Sequence, residues 1–223
     1  MTDTPDSKDL AATRQIDSDH PAVIAFAQAH SAGTDDRSRA VSLYYAVRDG
    51  FRYDPYRIDL SPQGMCASRV IENGYGWCIP KSALMCAAAR AVGIPARVGY
   101  ADVRNHMSTQ RMRDTMKTDI FTWHGYAQLW IEGAWHKATP VFNIELCDKF
   151  GLMPLEWDGV SDSLYHPLDR QGRQHMEYLK QHGSFQDMPL ATIVGEFEKL
   201  YPDWEALRKP EADFALDVEQ EVR

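Results

Sequence analysis

Cys78 and His124 are the pair in this chain whose types and placing could do chemistry. Cys78 stands in Gly74-Tyr75-Gly76-Trp77-Cys78-Ile79-Pro80-Lys81-Ser82, where two glycines lead into a thiol just as a long apolar run begins. Proline is tolerated in a first helical turn, because its missing N–H would be unpaired there anyway. The thiol is therefore expected at a helix N-terminus, where free N–H groups and the positive end of the dipole favour thiolate. A thiol nucleophile needs a group to take and return its proton, usually histidine. Of the eight histidines, His124 lies in an alternating stretch that should form a strand of the sheet under that helix. The chemistry of such a pair is attack on an acyl carbon through a thioester. It also needs donors for the developing oxyanion. The backbone N–H of Cys78 is the natural first one, with Trp77, Tyr53 and Gln63 as candidates for a second; Trp77, next to the thiol, is also a candidate substrate contact.

The elements that must position these groups can be read in order. Residues 1–18 are polar and are expected to be a mobile N-terminal arm. Helices are expected over 19–32, from Thr34 to Gly50, and briefly between Ser61 and Ile71. Pro80 to Val92 reads as a helix buried on most sides, broken only by Lys81, Ser82 and Arg90 and stopped at Gly93, with Pro95 just beyond. Residues 96–103 and 121–131 alternate, and Glu132-Gly133 turns the chain into a returning strand over 134–138, a β-hairpin. Residues 104–120 read as a long loop carrying Met107, Met112 and Met116 among basic residues. A short helix follows from Asn143 to Phe150, 152–187 show no assignable pattern, and Pro189 to Leu200 reads as a helix. The expected organisation is one domain over 19–206 with a charged tail or peripheral helix over 207–223. Helices followed by strands, with the thiol-bearing helix between them, indicate an α+β fold in which that helix packs on an antiparallel sheet.

The net charge of −8 argues against nucleic acid or an anionic membrane as a partner. The four cysteines, Cys66, Cys78, Cys86 and Cys147, lack the paired short spacing of zinc sites or disulfide frameworks. With free thiols and no long apolar run or signal sequence, a cytoplasmic protein is expected, and no metal or organic cofactor is implied. Oligomeric state is not legible.

Several segments together resemble the transglutaminase-like superfamily. They are Gly76-Trp77-Cys78, Gly93-Ile94-Pro95-Ala96-Arg97-Val98, Trp123-His124-Gly125-Tyr126 through Gly133-Ala134-Trp135, and the upstream Asp49-Gly50-Phe51-Arg52-Tyr53-Asp54. The resemblance spans roughly residues 35–145. It implies a papain-like α+β core and a Cys-His-Asp triad with Cys78 as nucleophile and His124 as base. It also implies an amide, peptide-type or other acyl substrate, with hydrolysis favoured over transfer to an amine.

The third member departs from that pattern. Where the family carries Asp just before proline on the return strand, this chain has Thr139-Pro140. If Glu132-Gly133 is a two-residue turn, Ile131 faces Ala134 and Tyr126 faces Thr139, so Thr139 falls on the His124 face at a diagonal position about 5–8 Å away. Asn143 reaches the same face on the other diagonal. Either can accept a hydrogen bond from the imidazole, and the choice stays open, with position favouring Thr139. Asp148 and the acids of 152–163 are more distant alternatives. Arg111 and Arg113, in the loop ahead of the histidine strand, are expected to select an acidic acyl substrate. The competing reading is a binding or scaffold module that keeps the fold without turnover, and the neutral residue at 139 is its support.

Overall fold

The computed structural model describes residues 3–106, 108–164, 168–173, 175–209 and 212–221; Met107 and His166 lie outside them. The chain runs α1 (Pro21–His30), α2 (Asp36–Gly50), β1 (Arg52–Tyr53), α3 (Ala67–Asn73), β2 (Tyr75–Gly76) and α4 (Cys78–Ala91). There follow β3 (Ala96–Asn105), α5 (Gln110–Met116), β4 (Ile120–Ile131), β5 (Ala134–Ala138), α6 (Ile144–Phe150), β6 (Met176–Phe185), α7 (Leu190–Leu200) and α8 (Phe214–Glu221).

Helix α4 is the centre of the core. Every residue from Cys78 to Arg90 is buried, because α1, α2 and α3 cover one side and β4 the other. A helix enclosed all round needs no amphipathic stripe, which is why its sequence is apolar throughout. Its two charged exceptions are paired, and Arg90 donates to the carbonyls of Ala11, Ala96 and Gln186. The antiparallel sheet runs β5-β4-β3-β6. The expected hairpin forms in the expected register, from Ile131 opposite Ala134 to Ala127 opposite Ala138. Its two turn residues, Glu132 and Gly133, have φ of 52° and 84°, the left-handed pair that matches the twist of adjoining strands.

Three expectations are corrected. The supposed mobile arm packs on the body: Ile16 is fully buried, and Asp9, also buried, accepts from the Arg97 guanidinium on β3 at 2.7 and 2.9 Å. Its polar composition reflects partners supplied by a distant strand. Within the loop of 104–120 lies α5, capped by the Thr109 hydroxyl, which accepts from Met112 N–H, and ended by Lys117 at φ 56°. Seven residues are too few to show a period. Strand β6 runs through the segment without assignable pattern. It slips register twice against β3 and lies on an edge, so its side chains do not alternate between core and water. The charged tail also holds an amphipathic helix, α8, with Phe214 and Val218 buried.

Candidate active site

The turn that carries Cys78 is assembled by backbone pairing. The short parallel pair β1–β2 sets Tyr53 opposite Gly76, and Trp77 stays extended as the cap that hands the chain into α4 at Cys78. Lys81, one turn further on, is completely buried and donates to the carbonyls of Arg48, Phe51 and Val141 at 2.9, 2.7 and 2.8 Å. One ammonium thus ties the end of α2, the approach to β1 and the segment after β5 to the first turn of α4. Burial draws its pKa down to about 7, against the pull of Asp49 in the other direction.

Strand β4 brings His124 to the same place. The β3–β4 register breaks between Ala101 and Val103, so Thr122 and Trp123 bulge opposite Asp102, and Trp123 takes φ 57°. Bulges bend a strand and re-aim the next side chain, and a left-handed tryptophan costs about 1–3 kcal/mol unless something holds it. Asp102 holds it: one carboxylate oxygen accepts from Thr122 Oγ1 at 2.6 Å, Trp123 N–H at 3.1 Å and His182 Nε2 at 2.7 Å. His182 lies flat on the Trp123 ring, with centroids 4.1 Å apart. Burial works against the Asp102 carboxylate, yet these donors hold its pKa below the ordinary value. Sequence reasoning missed Asp102, although aspartate in mid-strand is an exception that asks for a reason.

Asp102→Ala should therefore leave the bulge without its acceptor. The expected results are a loss of about 2–3 kcal/mol in urea unfolding and a fall of about a hundredfold in the rate of the Cys78 acylation proposed below, because His124 would be misplaced. Asp102→Asn, which still accepts, should recover part of both.

Gly125 sits against the helix start. A Cβ there would lie 2.9 Å from the Cys78 carbonyl oxygen and 3.1 Å from Ile79 Cα, so only glycine lets the strand come this close. Its backbone N–H, with those of Ile79 and Cys78, favours the Cys78 thiolate. Desolvation is larger: the thiol is 7% exposed, and burial pushes its pKa up to about 11. Burial thus opposes the N–H groups of the helix start, which by themselves favour the thiolate.

Cys78 and His124, both buried, line one cavity of about 40 Å³ with Tyr53, Trp77, Met112, Met116, Phe197, Tyr201 and Phe214. Among the described residues its wall carries no carboxylate. Such a volume suits little more than a water molecule or two. Thr139 and Asn143 are both buried, but neither lines this cavity, and their roles differ. The Asn143 side-chain oxygen accepts from Tyr53 N–H at 3.0 Å, tying α6 to β1, whereas the Thr139 hydroxyl makes no hydrogen bond among the described residues. Of the second-donor candidates, Trp77 and Tyr53 reach the cavity and Gln63 is exposed away from it. Arg111 and Arg113 do not line it: they pair with Asp217 at 2.9 Å and Glu221 at 3.5 Å on α8. Their charges are met within the chain, which corrects the expectation that they select substrate. The four cysteines are free thiols, and among the described residues no group of three or more His, Cys, Asp or Glu side chains is placed to hold a metal. No helix of the described residues is long and apolar enough to cross a membrane.

A family model described as the transglutaminase-like superfamily matches residues 24–140. Among solved structures, the chain is similar to an arylamine N-acetyltransferase from Salmonella typhimurium, at 13% identity over 89% of this chain and 73% of that one, with a TM-score of 0.50. It is also similar to a presumed cysteine protease from Cytophaga hutchinsonii, at 15% identity over 82% of this chain, with a TM-score of 0.47. The chain spans 58% of the length of that protein. At these identities the likeness is one of fold. A search of curated protein sequences returns no significant match.

Proposed function

Because the chain belongs to the transglutaminase-like superfamily, we propose that it is a thiol-dependent acyl-transfer enzyme that hydrolyses an amide or peptide-type bond. The observation that carries this reading is the enclosure of Cys78 and His124 in one apolar cavity, with the Gly125 N–H directed at the thiol. The Cys78 sulfur attacks the acyl carbon as its proton passes to His124, while the Cys78 N–H at the start of α4 stabilises the oxyanion. Collapse of the tetrahedral adduct expels the amine, which takes the proton from His124 and leaves a thioester on Cys78. A water molecule, deprotonated by His124, then attacks the thioester, releasing the acid and restoring the thiol. An amine in place of water would give transamidation by the same steps.

With Thr139 or Asn143 as its orienting partner, His124 would have a neutral side chain that stabilises imidazolium less than a carboxylate does. In a serine enzyme removal of that charge costs about 10⁴ in rate, and a cysteine enzyme, with its more acidic nucleophile, depends on it less. The mostly apolar wall suits an apolar acyl group, and the four free thiols suit a reducing compartment such as the cytoplasm.

The test is to incubate the protein with activated amide and ester acyl donors and look for an acyl adduct on Cys78 by intact-protein mass spectrometry. The adduct is expected in the wild type and absent in Cys78→Ala. Its formation should slow by about 10²–10⁴ in His124→Ala. A protein that never acylates, even when its cavity is opened as described in the Discussion, would leave the second reading, a binding module of the same fold. The raised thiol pKa and the neutral residue at 139 are what favour that alternative.

A further inference from the structure

On the outer side of the nucleophile turn lies a second, larger cavity of about 290 Å³. Trp77 is a wall of both cavities, and Gly76 and Pro80, which flank Cys78, complete the near side of the larger one. Its other sides carry Arg57, Arg69, Arg208 and Lys209 against one lining carboxylate, Asp59. In a chain of net charge −8 this is a local excess of the opposite sign.

Two of the cations are partly compensated. Arg57 pairs with Asp54 at 3.0 Å while lying 5.4 Å from the centre of the Tyr75 ring, and Arg69 pairs with Glu72 across an exposed helix face. Arg208 and Lys209, both exposed, make no ion pair among the described residues. They stand just before α8, whose Phe214 closes the thiol cavity. Guanidinium forks and an ammonium converging on one concave space are the usual means of holding phosphate or carboxylate oxygens.

We propose that this cleft binds a compact polyanionic group, phosphate or polycarboxylate, carried by the acyl substrate, whose acyl end passes Trp77 to reach Cys78. The anion site stands on the cleft itself, and its link to an acyl end rests on the hydrolase reading above. An acidic substrate is thus selected beside the nucleophile turn, and the charges that select it are Arg208 and Lys209 together with Arg57 and Arg69.

Isothermal titration calorimetry with inorganic pyrophosphate and with citrate tests the site, using the full chain and its Cys78→Ala variant. Both proteins should bind one equivalent with the same affinity, since capture of the anion needs no chemistry at sulfur. The double variant Arg208→Gln, Lys209→Gln should bind about tenfold more weakly or worse. A control double variant, Lys180→Gln, Lys199→Gln, removes two exposed lysines outside the cleft and should leave affinity unchanged. Preference for pyrophosphate identifies a phosphate group, and preference for citrate a carboxylate one. No binding of either anion at millimolar concentration, or equal loss in the two double variants, overturns the proposal. Anion binding without any acyl adduct on Cys78 keeps the site and refutes the hydrolase reading; an adduct without anion binding does the reverse.

Discussion

Asp217→Arg is expected to raise the rate at which iodoacetamide alkylates Cys78 by about tenfold or more. The thiol cavity is closed by Met112 and Met116 of α5, by Phe197 and Tyr201 at the end of α7, and by Phe214 of α8. Helices α5 and α8 are held together largely by polar contacts. The Arg111 guanidinium and the Tyr56 hydroxyl both donate to Asp217, at 2.9 and 2.8 Å, and Glu221 accepts from Gln110 N–H at 2.8 Å. A helix of eight residues has little stability of its own, so it stays only while its contacts hold it. A second guanidinium at 217 would face Arg111 and turn attraction into repulsion. Because these pairs are partly exposed, salt should loosen the wild-type cover in the same direction, by less. Arg111→Asp added to Asp217→Arg restores opposite charges and should bring the rate back down. An unchanged rate in Asp217→Arg would show that the cover is no barrier.

The pH profile of the same reaction has a defined sign. Burial disfavours the thiolate and raises the Cys78 pKa to about 11. In the closed wild type the alkylation rate should therefore climb about tenfold per pH unit from neutrality to pH 10, without a plateau. Opening the cover rehydrates the sulfur while the N–H groups of Gly125, Ile79 and Cys78 stay in place. The plateau should then move to lower pH in Asp217→Arg.

The second large effect is expected at Gly125. In Gly125→Ala the added methyl meets backbone, the Cys78 carbonyl and Ile79 Cα, so no side chain can swing aside and β4 must move off α4. Overpacking of this kind costs about 1–3 kcal/mol, which urea unfolding would read as a lower midpoint at unchanged slope. Acylation should suffer more than stability, by about a hundredfold, because the displaced segment carries both His124 and the N–H that faces the sulfur. Gly195→Ala is the contrast. Nothing lies within 4 Å of its added carbon inside α7, and alanine there should stabilise by about 0.5–1 kcal/mol. If both variants behave alike, the close approach at Gly125 does not matter.

Much of the site was legible because its signals are local. A proline, a thiol and an apolar run ended by Gly93 are enough to place Cys78 at the head of a buried helix. A two-residue turn at Glu132-Gly133 sets the hairpin register, from Ile131 opposite Ala134 to Ala127 opposite Ala138. The family resemblance rests on those same segments. Where local patterns mislead, the partners are remote: Asp9 looks solvated until Arg97 is brought to it, and β6 loses its alternation by slipping against β3.

What the sequence by itself determined, then, is the place of Cys78 at the head of a buried helix and of His124 on the strand packed against it, since each follows from residues within a turn or two of one another. Only the tertiary structure decided what surrounds that thiol. The thiol's pKa is a sum over everything that excludes water from it, and α7 and α8 supply much of that cover from more than a hundred residues away. The same holds for Asp102, which shapes the strand ahead of His124 only because β3 pairs with β4 and β6 together, and for Arg111 and Arg113, whose charges are spent on α8 before any substrate arrives.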